Sequence, residues 1–170
     1  MDIDNLSGLP EWCDDEFDTD DTEKWKPNPT KDAAKAMYEQ WRQVVVILRG
    51  ALETSEGDER LEVIENKDDF LRSFRDEQKG IIMNDAFEVA IKIQSSESRM
   101  YMIRMENASI IRKNAQYIYT AMLGLMSEKS IDEAHGNVIR AEIDKFRLLF
   151  RHWVTTFKKD AFVEDWGLFN

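Results

Sequence analysis

An all-α fold, an up-down bundle of four main helices preceded by an extended acidic N-terminal arm, is predicted by three features of the sequence. Residues 30 to 170 contain no proline, because Pro10, Pro27 and Pro29 are the only three in the chain, and helix interiors there run uninterrupted. Within that stretch, apolar residues recur at spacings of three and four in successive blocks, the period of a helix that buries one face. The charge is unevenly divided: the first thirty positions hold ten acidic residues against Lys24 and Lys26, a net of −8 out of −11 for the chain. The sequence therefore divides into an arm, residues 1–29, and a near-neutral bundle domain, residues 30–170.

At 170 residues, 42% hydrophobic and 34% charged, the chain is long enough for one domain that buries its own core without metals or disulfides. The arm is of a different character. From Leu9 to Thr30 acids alternate with the three prolines and no helical period is sustained, which reads as extended or disordered chain. Trp12, Phe17 and Trp25 are spaced among the acids, a pattern of segments that fold onto partners, and they are the candidate partner-binding residues. The equally open alternative is that these aromatics dock on the chain's own bundle.

The first helix is predicted to follow Pro29, with Thr30 as its cap and Asp32 complementing the helix dipole. Ala34, Met37, Trp41, Val44, Val45, Leu48 and Leu52 form its apolar stripe, and Ser55-Glu56-Gly57-Asp58 ends it. A short apolar segment, Leu61 to Ile64, leads to Asn66, a cap for the next helix. That helix carries Phe70, Leu71, Phe74, Ile81, Ile82, Ala86, Val89 and Ile93, with Gly80 as an interior weak point where it could divide into two. A hairpin competes here, since Phe87, Val89, Ile91 and Ile93 alternate and Met100 to Met105 could return. The helical reading prevails because Tyr101, Met105, Ala108, Ile111, Ala115, Ile118, Met122 and Met126 hold one helical period through the supposed return strand.

The fourth helix opens on Ser130-Ile131-Asp132-Glu133, which matches a capping box. Its face, Val138, Ile139, Ile143, Phe146, Leu149, Phe150, Trp153 and Phe157, is broad enough for two neighbours. Beyond Lys158-Lys159-Asp160 the chain ends in Phe162, Val163, Trp166, Leu168 and Phe169, apolar enough that packing back on the bundle is expected, with a partner contact as the alternative.

Few residues suggest chemistry. Carboxylate-bridged metal bundles use Glu-x-x-His from two helices, whereas this chain has two histidines, neither preceded by Glu at that spacing, so neither a metal nor another cofactor is expected. Cys13 lies among acids that disfavour its thiolate, and no Gly-rich phosphate loop, nucleophile elbow or Cys-x-x-Cys occurs. Arg104, His135 and Glu142 project onto the apolar faces of their helices and form a candidate buried polar cluster, with Arg104 and Glu142 expected to pair across the helices or reach out to solvent.

The run Arg147-Leu-Leu-Phe-Arg-His152 resembles the Arg-x4-His signature of HEPN-family helical ribonucleases. The resemblance covers six residues and implies that Arg147 and His152 act on a scissile phosphate across a dimer. Leu148 departs from the polar residue that commonly follows the Arg in that family, and the competing reading is two solvated residues flanking the apolar face. At about 100° per residue, positions five apart diverge by about 140°.

The leading expectation is a non-catalytic protein-interaction or regulatory bundle whose acidic arm or apolar C-terminus contacts another protein. The alternative is the HEPN-like ribonuclease. No basic excess marks a nucleic-acid partner, and the longest apolar run, Val44 to Leu48, is far below the roughly 20 residues that span a bilayer. The single cysteine and the absence of a secretory pattern in the first residues favour the cytoplasm; a homodimer is left open.

Overall fold

Asn28 and Pro29 start the bundle together. In the computed structural model, which describes residues 5–12, 27–54, 67–97, 100–163 and 165–168, the first helix, α1, runs Pro29–Thr54. Pro29 occupies the first helical position, where its missing N–H is harmless and its φ is already helical. The cap is Asn28, whose Oδ1 accepts from the Lys31 amide at 3.0 Å, and not the expected Thr30. The Thr30 hydroxyl instead donates to the carbonyl of Thr156 at 3.2 Å, 126 residues away.

The second helix, α2, runs unbroken over Lys67–Gln94. Gly80 does not divide it: a Cβ there would meet nothing within 4 Å, so the glycine sits on open surface and weakens the helix without distorting it. Asn66 and the segment Leu61 to Ile64 lie outside the described residues. The third helix, α3, spans Tyr101–Ser127, so residues 81–94 and 101–105 are helical with a turn at 95–97, and the described residues contain no strand. It ends in a Schellman motif. The Lys129 amide bonds Met126 O at 3.0 Å, the Ser130 amide bonds Leu125 O at 2.8 Å, and Lys129 takes the left-handed φ of 57° usually left to glycine.

The fourth helix, α4, covers Glu133–Thr155 and is capped by Asp132, which accepts from the Ala134 amide at 3.0 Å. The expected capping box on Ser130 does not form, because that residue is consumed by the end of α3; its hydroxyl is buried and finds no partner among the described residues.

Each helix packs on its two ring neighbours, α1 on α2 and α4, α3 on α2 and α4, and the diagonals do not touch. Long-range polar contacts fix the directions. Gln40 meets Glu142 and Thr30 meets Thr156; Asn114 meets Glu88 and Asn107 meets Ser96. In both sets a rising number faces a falling number, and α1 against α2 does the same, Trp41 meeting Ala86 while Leu52 and Glu53 share a cleft with Asp76 and Lys79, which is the up-down order.

All seven residues of the predicted α1 stripe are buried, with Trp41 at the centre. Its ring lies 4.6 Å from Phe146 of α4. Of the predicted face of α2, Ile82, Ala86, Val89 and Ile93 are buried, whereas Phe74 and Ile81 are exposed. Position around the helix explains this: at about 100° per residue, Phe74 and Ile81 lie about 80° to 100° round α2 from Ile82, on the flank of the buried stripe. Val138, expected on the inner face of α4, is also exposed.

Candidate functional site

The arm does not begin its life apart from the bundle. Asn5 to Leu9 satisfy one another: the Gly8 amide bonds Asn5 O at 3.2 Å with Gly8 at φ 68°, Asn5 Nδ2 donates to Leu9 O at 2.6 Å, and Ser7 Oγ donates to Asn5 Oδ1 while accepting from the Leu9 amide. With its polar backbone groups served locally, this segment can bury apolar side chains. Leu9 is 3% exposed and belongs to the core cluster.

Three contacts lay the segment along α1. Tyr38 Oη donates to Pro10 O at 2.7 Å, the Trp12 ring stands 5.5 Å from the Tyr38 ring at a tilt of 58°, and Arg49 reaches Leu6 O at 3.4 Å while its guanidinium lies 6.0 Å from the Phe87 ring. Burial pushes the Tyr38 phenol up to about 12, against the opposing charge of Arg42. Of the three candidate partner-binding residues, Trp12 therefore packs on the chain's own helix. Phe17 and Trp25 lie outside the described residues, as does Cys13. For Trp12, of the two readings left open, it is docking on the chain's own bundle that the contacts show; the signal for the docked turn was the Asn-x-Ser-Gly chemistry before Leu9-Pro10.

The three members of the expected polar cluster are not brought together. Arg104 donates to Ser96 O at 3.0 Å and to Glu97 O at 2.7 Å, closing the C-terminal turn after α2; burial lowers its pKa, opposed by Glu97 and Asp160. Glu142 accepts from Lys145 at 2.6 Å and from Gln40 at 2.8 Å. Those two hydrogen bonds, Lys145 first, hold its carboxyl below the usual range. His135 is exposed, with Asp132 at 3.9 Å. The expected Arg104–Glu142 pair fails for a geometric reason: Arg140 of α4 stacks 4.3 Å from the ring of Tyr119, so Glu142 lies about 20 Å along the axis from Arg104.

Arg147 and His152 are both exposed. Arg147 is paired with Asp144 at 3.1 Å, and the two side chains leave α4 in different directions with no contact between them. Among the described residues no group of three His, Cys, Asp or Glu side chains is placed to hold a metal ion. An open cleft of about 350 Å³ lies between the end of α1 and the middle of α2, lined by the apolar Leu52, Met83 and Phe87 and by the charged Arg49, Glu53 and Lys79.

Two features escaped the wheel projections. Asn107 and Asn114, one heptad apart on α3, are buried, Asn107 donating to Ser96 Oγ in the turn after α2 at 3.0 Å and Asn114 to Glu88 Oε2 of α2 at 2.7 Å. A polar residue at such a seam position favours one register. Their apolar neighbours masked them in a hydrophobic-period reading.

The second feature is the C-terminus, expected to fold back. Asp160 does return to the bundle: its Oδ2 accepts from the Tyr101 amide at 2.8 Å and caps α3 from a distant point in the chain. The described residues beyond it leave their apolar side chains exposed. Phe162, Val163 and Leu168 are exposed and Trp166 is 90% exposed. The carboxylate of Asp160 holds the base of the segment in place, while Lys158, Lys159, Asp160 and Asp165 give its rim both signs of charge. No helix among the described residues is long and apolar enough to cross a membrane. Comparison of the chain with protein-family models, with curated proteins and with solved structures finds no match.

Proposed function

We propose that the chain is a non-catalytic protein-interaction or regulatory bundle that contacts another protein through its apolar C-terminal segment, with the acidic arm as a second contact. The observation that carries this reading is the exposure of Phe162, Val163, Trp166 and Leu168 on a segment whose base is held by Asp160. Aromatic side chains, tryptophan above all, are enriched at interfaces, and several large apolar side chains exposed on one short segment favour a contact surface there.

The arm adds charge. Its net of −8 favours a partner with a basic surface, and attraction of that kind raises association rates in a salt-dependent manner. The test uses the full chain as bait in an extract of its source cells. Val163→Asp with Trp166→Glu is expected to lose the captured partner, and replacing Asp14, Asp15, Glu16 and Asp18 by their amides is expected to weaken capture at low salt. Unchanged capture by both variants rejects the reading.

A further inference from the structure

The contacts of residues 5–12 make a small, self-contained site. Its floor is Tyr38, fully buried, and its far end is the Arg49 guanidinium. Its occupant presents one buried apolar side chain, Leu9, one carbonyl to the Tyr38 hydroxyl, one carbonyl to Arg49, and one ring, Trp12, to the Tyr38 ring. These are the elements by which a groove recognises a short extended peptide: an anchor side chain with main-chain hydrogen bonds on either side. The occupant is joined to α1 only through residues 13–26. Fourteen residues reach up to about 45 Å when extended, whereas the helix axis from Tyr38 back to Pro29 covers about 13 Å. The connection therefore imposes no requirement that the segment stay docked.

We infer that the α1 groove over Tyr38 and Arg49 is a peptide-binding site occupied by the chain's own residues 5–12, which act as a releasable strap. The strap deepens the reading of the arm as a partner contact and rests on it in one respect: while closed it withholds Trp12, so a partner that uses Trp12 must compete with Tyr38 for it. Opening leaves the four helices intact, because each is held by its two neighbours. It uncovers the Tyr38 ring and hydroxyl.

Gly8 provides the means of releasing the segment by a substitution outside the four helices. Its φ of 68° disfavours any β-branched residue, and an added Cβ would come within 2.8 Å of the Arg49 guanidinium. The full chain, its Gly8→Val variant and the double variant Gly8→Val/Tyr38→Phe are compared by two measurements that need no partner. In amide hydrogen exchange, Leu9 and Trp12 are expected to exchange at least tenfold faster in Gly8→Val while the amides of α1 keep their protection. A fluorescein-labelled peptide of the sequence Asn5 to Trp12 is expected to bind Gly8→Val at least tenfold more tightly than the unaltered chain, whose groove is filled. Loss of the Tyr38 hydroxyl is expected to weaken that binding about fivefold, the ratio equivalent to one net hydrogen bond. Unchanged arm exchange in Gly8→Val, or equal peptide binding to the unaltered and Gly8→Val chains, at any level including none, overturns the proposal. Failure of the partner-capture test alone leaves both measurements standing, so the two ideas fail separately.

Discussion

The indole N–H of Trp41 donates to the main-chain carbonyl of Ala86 at 2.8 Å, a bond from α1 into α2 between two fully buried residues. Trp153 of α4 is equally buried, yet its indole N–H meets no acceptor among the described residues. The two tryptophans therefore differ in what a phenylalanine would lose. Trp41→Phe gives up a buried hydrogen bond as well as ring area; Trp153→Phe gives up area and relieves an unpaired donor. The expected difference in unfolding free energy is about 1 kcal/mol, Trp41→Phe being the less stable, as read from urea midpoints at equal m-value.

Acid sensitivity should divide between two carboxylates of opposite sign. Glu142 has its pKa lowered in the fold by Lys145 and Gln40, so its contribution is present above its unfolded pKa of about 4.3 and is lost as pH falls through the folded value. Asp85 has its pKa raised, chiefly by burial and against the pull of Lys113, so its ionisation opposes folding at neutral pH and its protonation helps. Glu142→Gln is expected to flatten the fall of stability below about pH 4.3, and Asp85→Asn to raise the thermal midpoint at pH 7. Thermal melts from pH 3 to 7 check both signs.

Lys129 stands where a Schellman motif prefers glycine, at φ 57°. Left-handed backbone costs a residue with a Cβ about 1 kcal/mol, and the flanking bonds to Leu125 and Met126 need only the main chain. Lys129→Gly is therefore expected to stabilise the bundle by about 0.5 to 1 kcal/mol, offset in part by the greater freedom of glycine in the unfolded chain. A midpoint lowered by the substitution would show that the left-handed turn carries no strain.

Gly136 tests the opposite rule. In most helix positions Gly→Ala stabilises, but here an added Cβ would overlap the Met126 sulfur and lie 2.6 Å from its Cγ. Gly136→Ala is expected to destabilise by about 1 to 3 kcal/mol. The double variant with Met126→Ala should recover part of that loss, which a double-mutant cycle on thermal or urea unfolding will show.

These contrasts indicate what could be read from residue order. The stripe of α1 was legible because every member faces two neighbours along its full length. Phe74 and Ile81, one heptad apart, keep a helical period and are nonetheless exposed, since both fall on the flank of the buried stripe and periodicity alone does not say how wide a face the neighbours cover. Cap identity followed the same pattern: Asn28 and Thr30, or Ser130 and Asp132, are chemically interchangeable caps, and the choice was made by Pro29 and by the turn that ends α3. The candidate site was least legible. That Trp12 would meet Tyr38, and that Asp160 would cap α3 at Tyr101, depends on contacts between residues far apart in the chain. Leu9 in the core also has a consequence: removing residues 1–29 is expected to lower stability as well as remove charge.

The most direct test of function through the C-terminal segment is capture by the full chain against its Val163→Asp/Trp166→Glu variant, with thermal unfolding measured on both. Both positions are exposed, so the midpoint should change by no more than the effect of about 0.5 kcal/mol usual for surface substitutions. The expected result is loss of the captured protein with the fold retained. Undiminished capture by a folded variant would contradict a contact made through Trp166.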